Sequence, residues 1–413
     1  MMIGMSATLT LTASPQEKTV TAPRRVLSID LLRGFTIALM ILVNDPGDWD
    51  HVFRPLDHAE WNGWTLTDMV FPTFLFVVGV SMVFSFAARR ARGNCRGSLA
   101  AHVFARTGKL LLLAFVLDYF PRMHWTTLRF FGVIPRIAIC SLLAGLVLLA
   151  TMTLRRQAWA VAAVVVALLV GYWVLLRWVP VPGLGMPGRD FPFMDESRNL
   201  ASWIDRGVVA WTQHWLHTGA LYRKVRDPEG VLSTLPAVAT TLLGALTGMW
   251  LRATRSEQTE ISPIKANVIL AAAGVAAVLA GELWSVWFPI NKNLWTSSYV
   301  LLMAGWAAIA LALLSLLVDE RPKPWPAWLN MATWPWFVFG SNAIAAYTTS
   351  VVLVKSGLYF HIGKATVWSW IYEHGFAFNN STYWTSLAFA VAFVVVCFLP
   401  NWWLWHKKWF WKM

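Results

Sequence analysis

Charge is what this 413-residue sequence has least of. Charged residues make up 13% of it, about half of the ~25% that a water-facing surface usually carries. Hydrophobic residues make up 57%, with 27 tryptophans among them. A soluble globular protein and a disordered chain are both excluded, and the composition is that of a polytopic membrane protein. Cysteine is scarce as well. Cys95, Cys140 and Cys397 have neither the even number of a disulfide framework nor the spacing of a zinc site. There is no Gly-x-x-x-x-Gly-Lys-Ser/Thr phosphate loop, which argues against ATP-driven transport, and no His-Glu-x-x-His metal pair. Acid is short too, with 21 Asp and Glu against 34 Lys and Arg and a net charge of +13. In a soluble chain that balance suggests nucleic acid. In a membrane chain it reads as the positive-inside bias, so no nucleic-acid partner is expected.

What is present is a series of apolar runs near the ~20 residues that span a bilayer. They fall at about 27–43, 66–86, 102–120, 131–153, 158–179, 231–251, 266–288, 296–317, 336–354 and 383–403. The fold class expected is all-α, with about ten transmembrane helices. Residues 1–25 are Ser/Thr-rich and lack the apolar core of a signal peptide, so they read as a flexible cytoplasmic tail before a single transmembrane domain over 26–413. With the N-terminus inside, the short connections on the inner face hold 19 Lys and Arg against 6 on the outer face. That asymmetry favours an N-in, C-in topology. Two connections then face out, 44–65 and a long polar one at 180–230 between spans five and six. Long connections of this kind usually carry function.

Ionisable groups within spans are expensive, at ~2.5–3.5 kcal/mol on insertion scales, and so mark candidate sites. Asp30 and Arg33 share one face of the first span, where they can also simply pair. Asp68 starts the second span, where the helix dipole favours an acid. Arg136 follows Pro135 in the fourth, and Glu282 stands in the seventh without a charge partner in sequence. Asn342 is a polar amide inside the ninth, and Asn291-Lys292-Asn293-Leu294-Trp295 is a tight polar link between two spans. His58, in Asp57-His58-Ala59-Glu60-Trp61-Asn62-Gly63, can exchange a proton at physiological pH. An interfacial histidine satisfied by its neighbours is the plainer reading.

These residues fall into recognisable blocks. Ser28-Ile29-Asp30-Leu31-Leu32-Arg33-Gly34, Val43-Asn44 and the run from His58 to Pro72 resemble the heparan-alpha-glucosaminide N-acetyltransferase family. Arg226-Asp227-Pro228-Glu229-Gly230 is similar to that family's Asp-Pro-Glu-Gly entry to a span, and Pro289 to Val300 to its Asn-Lys-Asn-Leu-Trp segment. The likeness runs from about residue 25 to Phe410-Trp411-Lys412. It implies a multi-pass enzyme that moves acetyl from cytoplasmic acetyl-CoA to a sugar across the membrane. The family's catalytic histidine matches His58 and its catalytic asparagine matches Asn44. Asp30, Arg33, Asp68, Arg136, Glu229, Asn291, Lys292, Asn293, Trp295 and Asn342 become candidates for binding substrate or coenzyme A. The chain lacks the large luminal extension of the animal lysosomal enzyme, which suggests a compact bacterial relative in a cell inner membrane. Its segment between Asn44 and His58 is a few residues longer, which leaves the acceptor sugar open.

Acetyl transfer from a thioester needs a base for the attacking amine or hydroxyl and a donor for the developing oxyanion. The expectation is that His58 supplies the base, or is itself transiently acetylated, while Asn44 supplies an amide N–H and inner-face arginines meet the phosphates of acetyl-CoA. No metal is implied. The partners expected are a hexosamine-type sugar and membrane lipids, with a homodimer left open. The alternative is a proton-coupled sugar or oligosaccharide transporter that uses His58 to carry protons.

Overall fold

A computed structural model describes residues 26–256, 259–378 and 380–411; the tail at 1–25 lies outside the described residues. Thirteen α-helices account for most of these residues: α1 (Leu27–Asn44), α2 (Val70–Ala91), α3 (Arg96–Tyr119), α4 (Val133–Thr151), α5 (Gln157–Trp178), α6 (Leu200–Leu216), α7 (Thr234–Thr254), α8 (Pro263–Ser285), α9 (Ser297–Leu314), α10 (Ala327–Ser341), α11 (Ala343–Tyr359), α12 (Val367–Tyr372) and α13 (Tyr383–His406). A two-residue hairpin, β1 (His361–Ile362) with β2 (Ala365–Thr366), is the one sheet among the described residues. Nine of these helices, α2 with its preceding turn included, are long and apolar enough to cross a membrane. The α10–α11 pair makes a tenth if its two helices count as one broken span.

That tenth crossing departs from expectation. The apolar run at 336–354 reads as one continuous span, but the pair is bent by 79° at Asn342. Both ends of the Asn342 amide are engaged by the chain's own C-terminus. Its Nδ2 donates to the Trp409 carbonyl at 3.0 Å, and its Oδ1 accepts from the Trp411 N–H at 2.8 Å. A backbone that leaves the helix inside a membrane must find such partners. The long 180–230 connection also holds more order than its polarity suggests. It contains α6, whose start is capped by Asn199 accepting from the Ser202 N–H at 2.8 Å.

Helices α2 and α7 form the centre of the bundle, whereas α3, α5, α8 and α13 turn most of their surface outward. Small residues set the central packing. A Cβ on Gly79 would stand 1.8 Å from the Thr241 carbonyl oxygen, and one on Gly244 would stand 2.0 Å from that of Phe76. The backbones of α2 and α7 therefore touch, and close approach of this kind drives helix association where lipid removes the hydrophobic incentive. Alternate connections meet at one end of the bundle. The Gly63 N–H donates to the Ile290 carbonyl at 2.8 Å, Trp61 Nε1 to the Met194 carbonyl at 3.0 Å, and Ser381 Oγ to Asp48 at 2.6 Å. The remaining connections close the opposite end, where Asp319 accepts from the Leu27 N–H at 2.7 Å and from Arg255 at 3.0 Å.

Candidate active site

The segment after α1 is held by local caps and by one distant tether. Asp48 caps a short turn at Trp49–His51, accepts from His51 Nδ1 at 2.7 Å and reaches Ser381 before α13. The Ser381 hydrogen bond, with help from His51, keeps the Asp48 carboxyl below the usual carboxylate range. Phe53 lies against Tyr383 and Trp384. The residues between Asn44 and His58 are thus folded down onto the start of α13.

His58 stands at the end of this segment. Its Nδ1 lies 2.8 Å from Asp68 Oδ1, and Asp68 is completely buried. The other carboxylate oxygen of Asp68 accepts the Ala59 N–H at 3.1 Å and the Thr65 N–H at 3.0 Å, and the Thr65 hydroxyl, 3.2 Å away, donates at 2.5 Å to the Asp57 carbonyl. Tyr299 of α9 donates its hydroxyl to the Asp68 carbonyl at 2.6 Å. A carboxylate saturated with donors in this way is a fixed negative point, and it sets the plane and register of the imidazole beside it. The turn that carries Asp68 packs against α1. Asn44, the last residue of α1, is exposed at that same end.

The Asn-Lys-Asn-Leu-Trp link closes over the cluster. Asn291, fully buried, donates to Asn62 Oδ1 at 3.2 Å and accepts the Leu294 N–H at 2.9 Å. Lys292 Nζ reaches His58 Nδ1 at 2.8 Å and Asp68 at 3.3 Å. Burial pulls its ammonium below the usual lysine range. Asn293 accepts from Arg226 at 2.7 Å, and the same guanidinium reaches Glu196 and lies 4.8 Å over the Trp61 ring. Trp295 is 1% exposed with φ of 52°, a left-handed conformation unusual for a bulky residue. Its ring is gripped by Phe71, Tyr299 and the Arg136 guanidinium 5.1 Å away. Arg136 also donates to the Gly230 carbonyl at 2.9 Å. Glu229 is paired with Arg129 and lies within electrostatic reach of Lys292. Asp205 of α6 supports this corner by accepting the Val231 N–H at 2.8 Å, and burial raises its carboxyl to about 7.

The sequence candidates therefore divide between two places. His58, Asp68, Asn291, Lys292, Asn293, Trp295, Arg136 and Glu229 gather at one end of the bundle, and Asn44 opens on the same end. Asp30 and Arg33 lie toward the other. Arg33 donates to Asp30 at 3.1 Å, to Ser81 at 2.6 Å and to the Gly340 carbonyl at 3.2 Å. Asn342 is occupied by the C-terminal residues, and Glu282 is exposed one turn from the end of α8. Arg33 lines a cavity of about 370 Å³ shared by α1, α2, α3, α4 and the α10–α11 break, together with Ser81, Arg89, His102, Arg106, Ser141 and Trp411. Arg106 donates to Ser141 at 2.8 Å. Arg89, His102 and Arg106 carry no sequence signal beyond the positive-inside bias, which hides any arginine with a second role. Asp45 was also missed. It directly follows Asn44, and burial pushes its carboxyl up to about 8.

Comparison with known proteins gives this arrangement its relatives. Residues 25–281 match the family model described as heparan-alpha-glucosaminide N-acetyltransferase, catalytic. The human heparan-alpha-glucosaminide N-acetyltransferase is 28% identical over 360 residues, covering 79% of this chain and 52% of the human protein. The mouse protein is 26% identical over 368 residues, with 80% and 54% covered. The chain spans about half the length of the curated relatives it matches. With the family model covering more than half of its residues, the chain belongs to the heparan-alpha-glucosaminide N-acetyltransferase family.

Proposed function

We propose that this chain is a transmembrane acetyltransferase. In this reading it moves acetyl from acetyl-CoA, admitted at the cytoplasmic end, to an amino group or hydroxyl of a hexosamine-type sugar at the external end. The observation that carries the reading is the separation of two unlike sites in one bundle. A histidine is oriented by a buried carboxylate at one end, and an arginine-lined cavity opens toward the other. Arg33, Arg89 and Arg106, with no carboxylate among the described lining residues, suit the phosphates of coenzyme A. Bound acetyl-CoA supplies an acetyl group activated as a thioester.

The protein's part follows from the His58 end. Asp68 holds Nδ1 and so leaves Nε2 to take the proton from the attacking amine. His58 then returns that proton to the departing thiolate, so the C–N bond replaces the C–S bond with no net proton change on the enzyme. The Asn44 side-chain amide donates to the oxygen on which negative charge develops. Trp61, with Arg226 over its ring, offers a face of the kind on which a sugar packs. The N-in, C-in orientation rests on the Lys and Arg asymmetry, and residues 26–413 act as one domain. The test is direct. Purified protein incubated with labelled acetyl-CoA and glucosamine, its oligomers or other envelope sugars is expected to yield acetylated sugar and an equal amount of free coenzyme A. Failure to acetylate any acceptor, with uptake of sugar into proteoliposomes in the absence of acetyl-CoA, would overturn it.

A further inference from the structure

Three ionisable groups converge on one nitrogen. His58 Nδ1 lies 2.8 Å from Asp68 Oδ1 and 2.8 Å from Lys292 Nζ, and that ammonium is 3.3 Å from the same carboxylate oxygen. A neutral imidazole carries one N–H and one lone pair, so Nδ1 serves one of these partners at a time and not both. Asp68 is completely buried, with the Ala59 and Thr65 N–H groups on its other oxygen, and a fixed negative charge beside an imidazole favours imidazolium. Imidazolium has no lone pair with which to accept a proton. A carboxylate beside a base therefore favours, in general, the form that cannot accept a proton.

Lys292 stands where it opposes that effect. We infer that Lys292 is a positioning residue that keeps His58 in the neutral form required of a base, by setting a positive charge against both the imidazole and the Asp68 oxygen that binds it. The inference rests on the reading of His58 as the base. With the ammonium on Asp68, the ring donates from Nδ1 to the carboxylate; the same ammonium lies 3.3 Å from Nε2, so it must give way there when the acceptor's proton reaches that lone pair. Other charges face this group from every side. Asp57 accepts the His58 backbone N–H at 2.7 Å and is exposed, as is Glu60 in the same segment. Glu229 lies near Lys292 but is held by Arg129, and Arg226 is tied to Glu196 and Asn293. The exposed acids are screened by water. The paired ones are compensated. The balance at the ring is left to Asp68 and Lys292.

The position also fits the link that bears it. Asn291 on one side and Asn293 on the other are each tied into a different segment. Lys292 is thereby fixed on a short backbone loop and lacks the freedom of a surface lysine. A charge that must oppose imidazolium formation without being drawn away needs such a mount.

The experiment compares Lys292→Met, Lys292→Gln and Lys292→Arg. In both neutral variants the acid limb of the kcat/KM profile should move to higher pH by about one to two units, in line with the effect of one close charge. Activity at pH 9 should return to within a few-fold of wild type. Lys292→Arg keeps the charge and should keep the limb within about half a unit. Histidine-labelled protein, with the His58 signal identified by its loss in His58→Ala, provides a readout that needs no turnover: the fraction of imidazolium at pH 7 should rise in the neutral variants. A uniform loss of kcat with an unmoved limb and an unmoved NMR signal would overturn the inference and make Lys292 merely structural. Wild-type turnover in His58→Ala would instead overturn the base assignment, and the NMR signal would still report whether Lys292 governs the ring. If one neutral variant fails to fold, the other gives the same reading.

Discussion

The two ends of the bundle handle charge in opposite ways. Around His58 the buried and half-buried cations each meet an acid, Lys292 on Asp68, Arg129 on Asp227 and Glu229, Arg226 on Glu196, while Asp57 and Glu60 face water. At the other end Arg33, Arg89, His102 and Arg106 share one cavity, and the described lining contributes no carboxylate. Arg33 has Asp30 beside it, while serine hydroxyls take much of the remaining hydrogen bonding. A neutralised cluster suits the movement of a proton, because gaining or losing one changes the local energy sharply. A cavity lined by several arginines suits an anion that arrives and leaves. The proposed division of tasks rests on this difference, and it can be broken experimentally at either end.

The largest effect expected concerns sidedness. In sealed, oriented vesicles, acetyl-CoA supplied at the arginine end should acetylate sugar trapped at the His58 end, and donor supplied only with the acceptor should give no product. Coenzyme A is too charged to cross on its own, so product formed only when both substrates share one side would remove the division of labour. Next in size is His58→Ala. Loss of a general base lowers turnover by ~10²–10⁴-fold, and the variant should insert and purify normally because the residue lies in a connection outside the spans. Wild-type turnover would end its assignment. Asn44→Ala should follow, with a loss of ~10²–10³-fold in kcat and little change in the KM for acetyl-CoA, as expected of one oxyanion donor. A change confined to KM would instead move Asn44 into binding.

A smaller effect is expected at the opposite end. Arg106→Gln should raise the KM for acetyl-CoA ~10-fold or more, since a hydrogen bond to a charged group contributes ~1.5–3 kcal/mol. Neither the KM for sugar nor the pH profile should change. An altered acid limb would show that the two ends are not independent.

How much of this could be read from the sequence depended on range. The spans were legible because each apolar run is local. The break at Asn342 was not, since Gly340-Ser341-Asn342 sits inside an apolar stretch and its side-chain partners, Trp409 and Trp411, lie almost seventy positions away. Helix α6 stayed hidden in a polar connection, because an amphipathic helix of 17 residues does not register as a span. His58 was marked by its motif, and Asp68, ten residues on, was noted as an acid at a helix start without its role beside the ring. Lys292 lies 234 positions from His58, and no local pattern announces a contact of that separation. The arginine cavity is drawn from six helices and Trp411, and topology alone would explain its arginines.

Asp45 offers the finest test of the contrast, because it is an acid at the His58 end that has no ion pair among the described residues. Burial raises its carboxyl to about 8, against 3.8 for an ordinary aspartate. The folded protein thus holds a proton there that the unfolded chain releases once the pH exceeds about 4. Stability from this group is full below that point and declines as pH rises toward 8, because the unfolded state binds fewer protons across the interval. Asp45→Asn keeps the shape and removes the titration. Its melting temperature should therefore fall less than that of wild type between pH 5 and pH 8, by a few degrees in a thermal-shift measurement in detergent. At pH 5 the two proteins should melt close together. Parallel curves across the whole range would mean that Asp45 is ionised in the fold, and that a cation at this end compensates it after all.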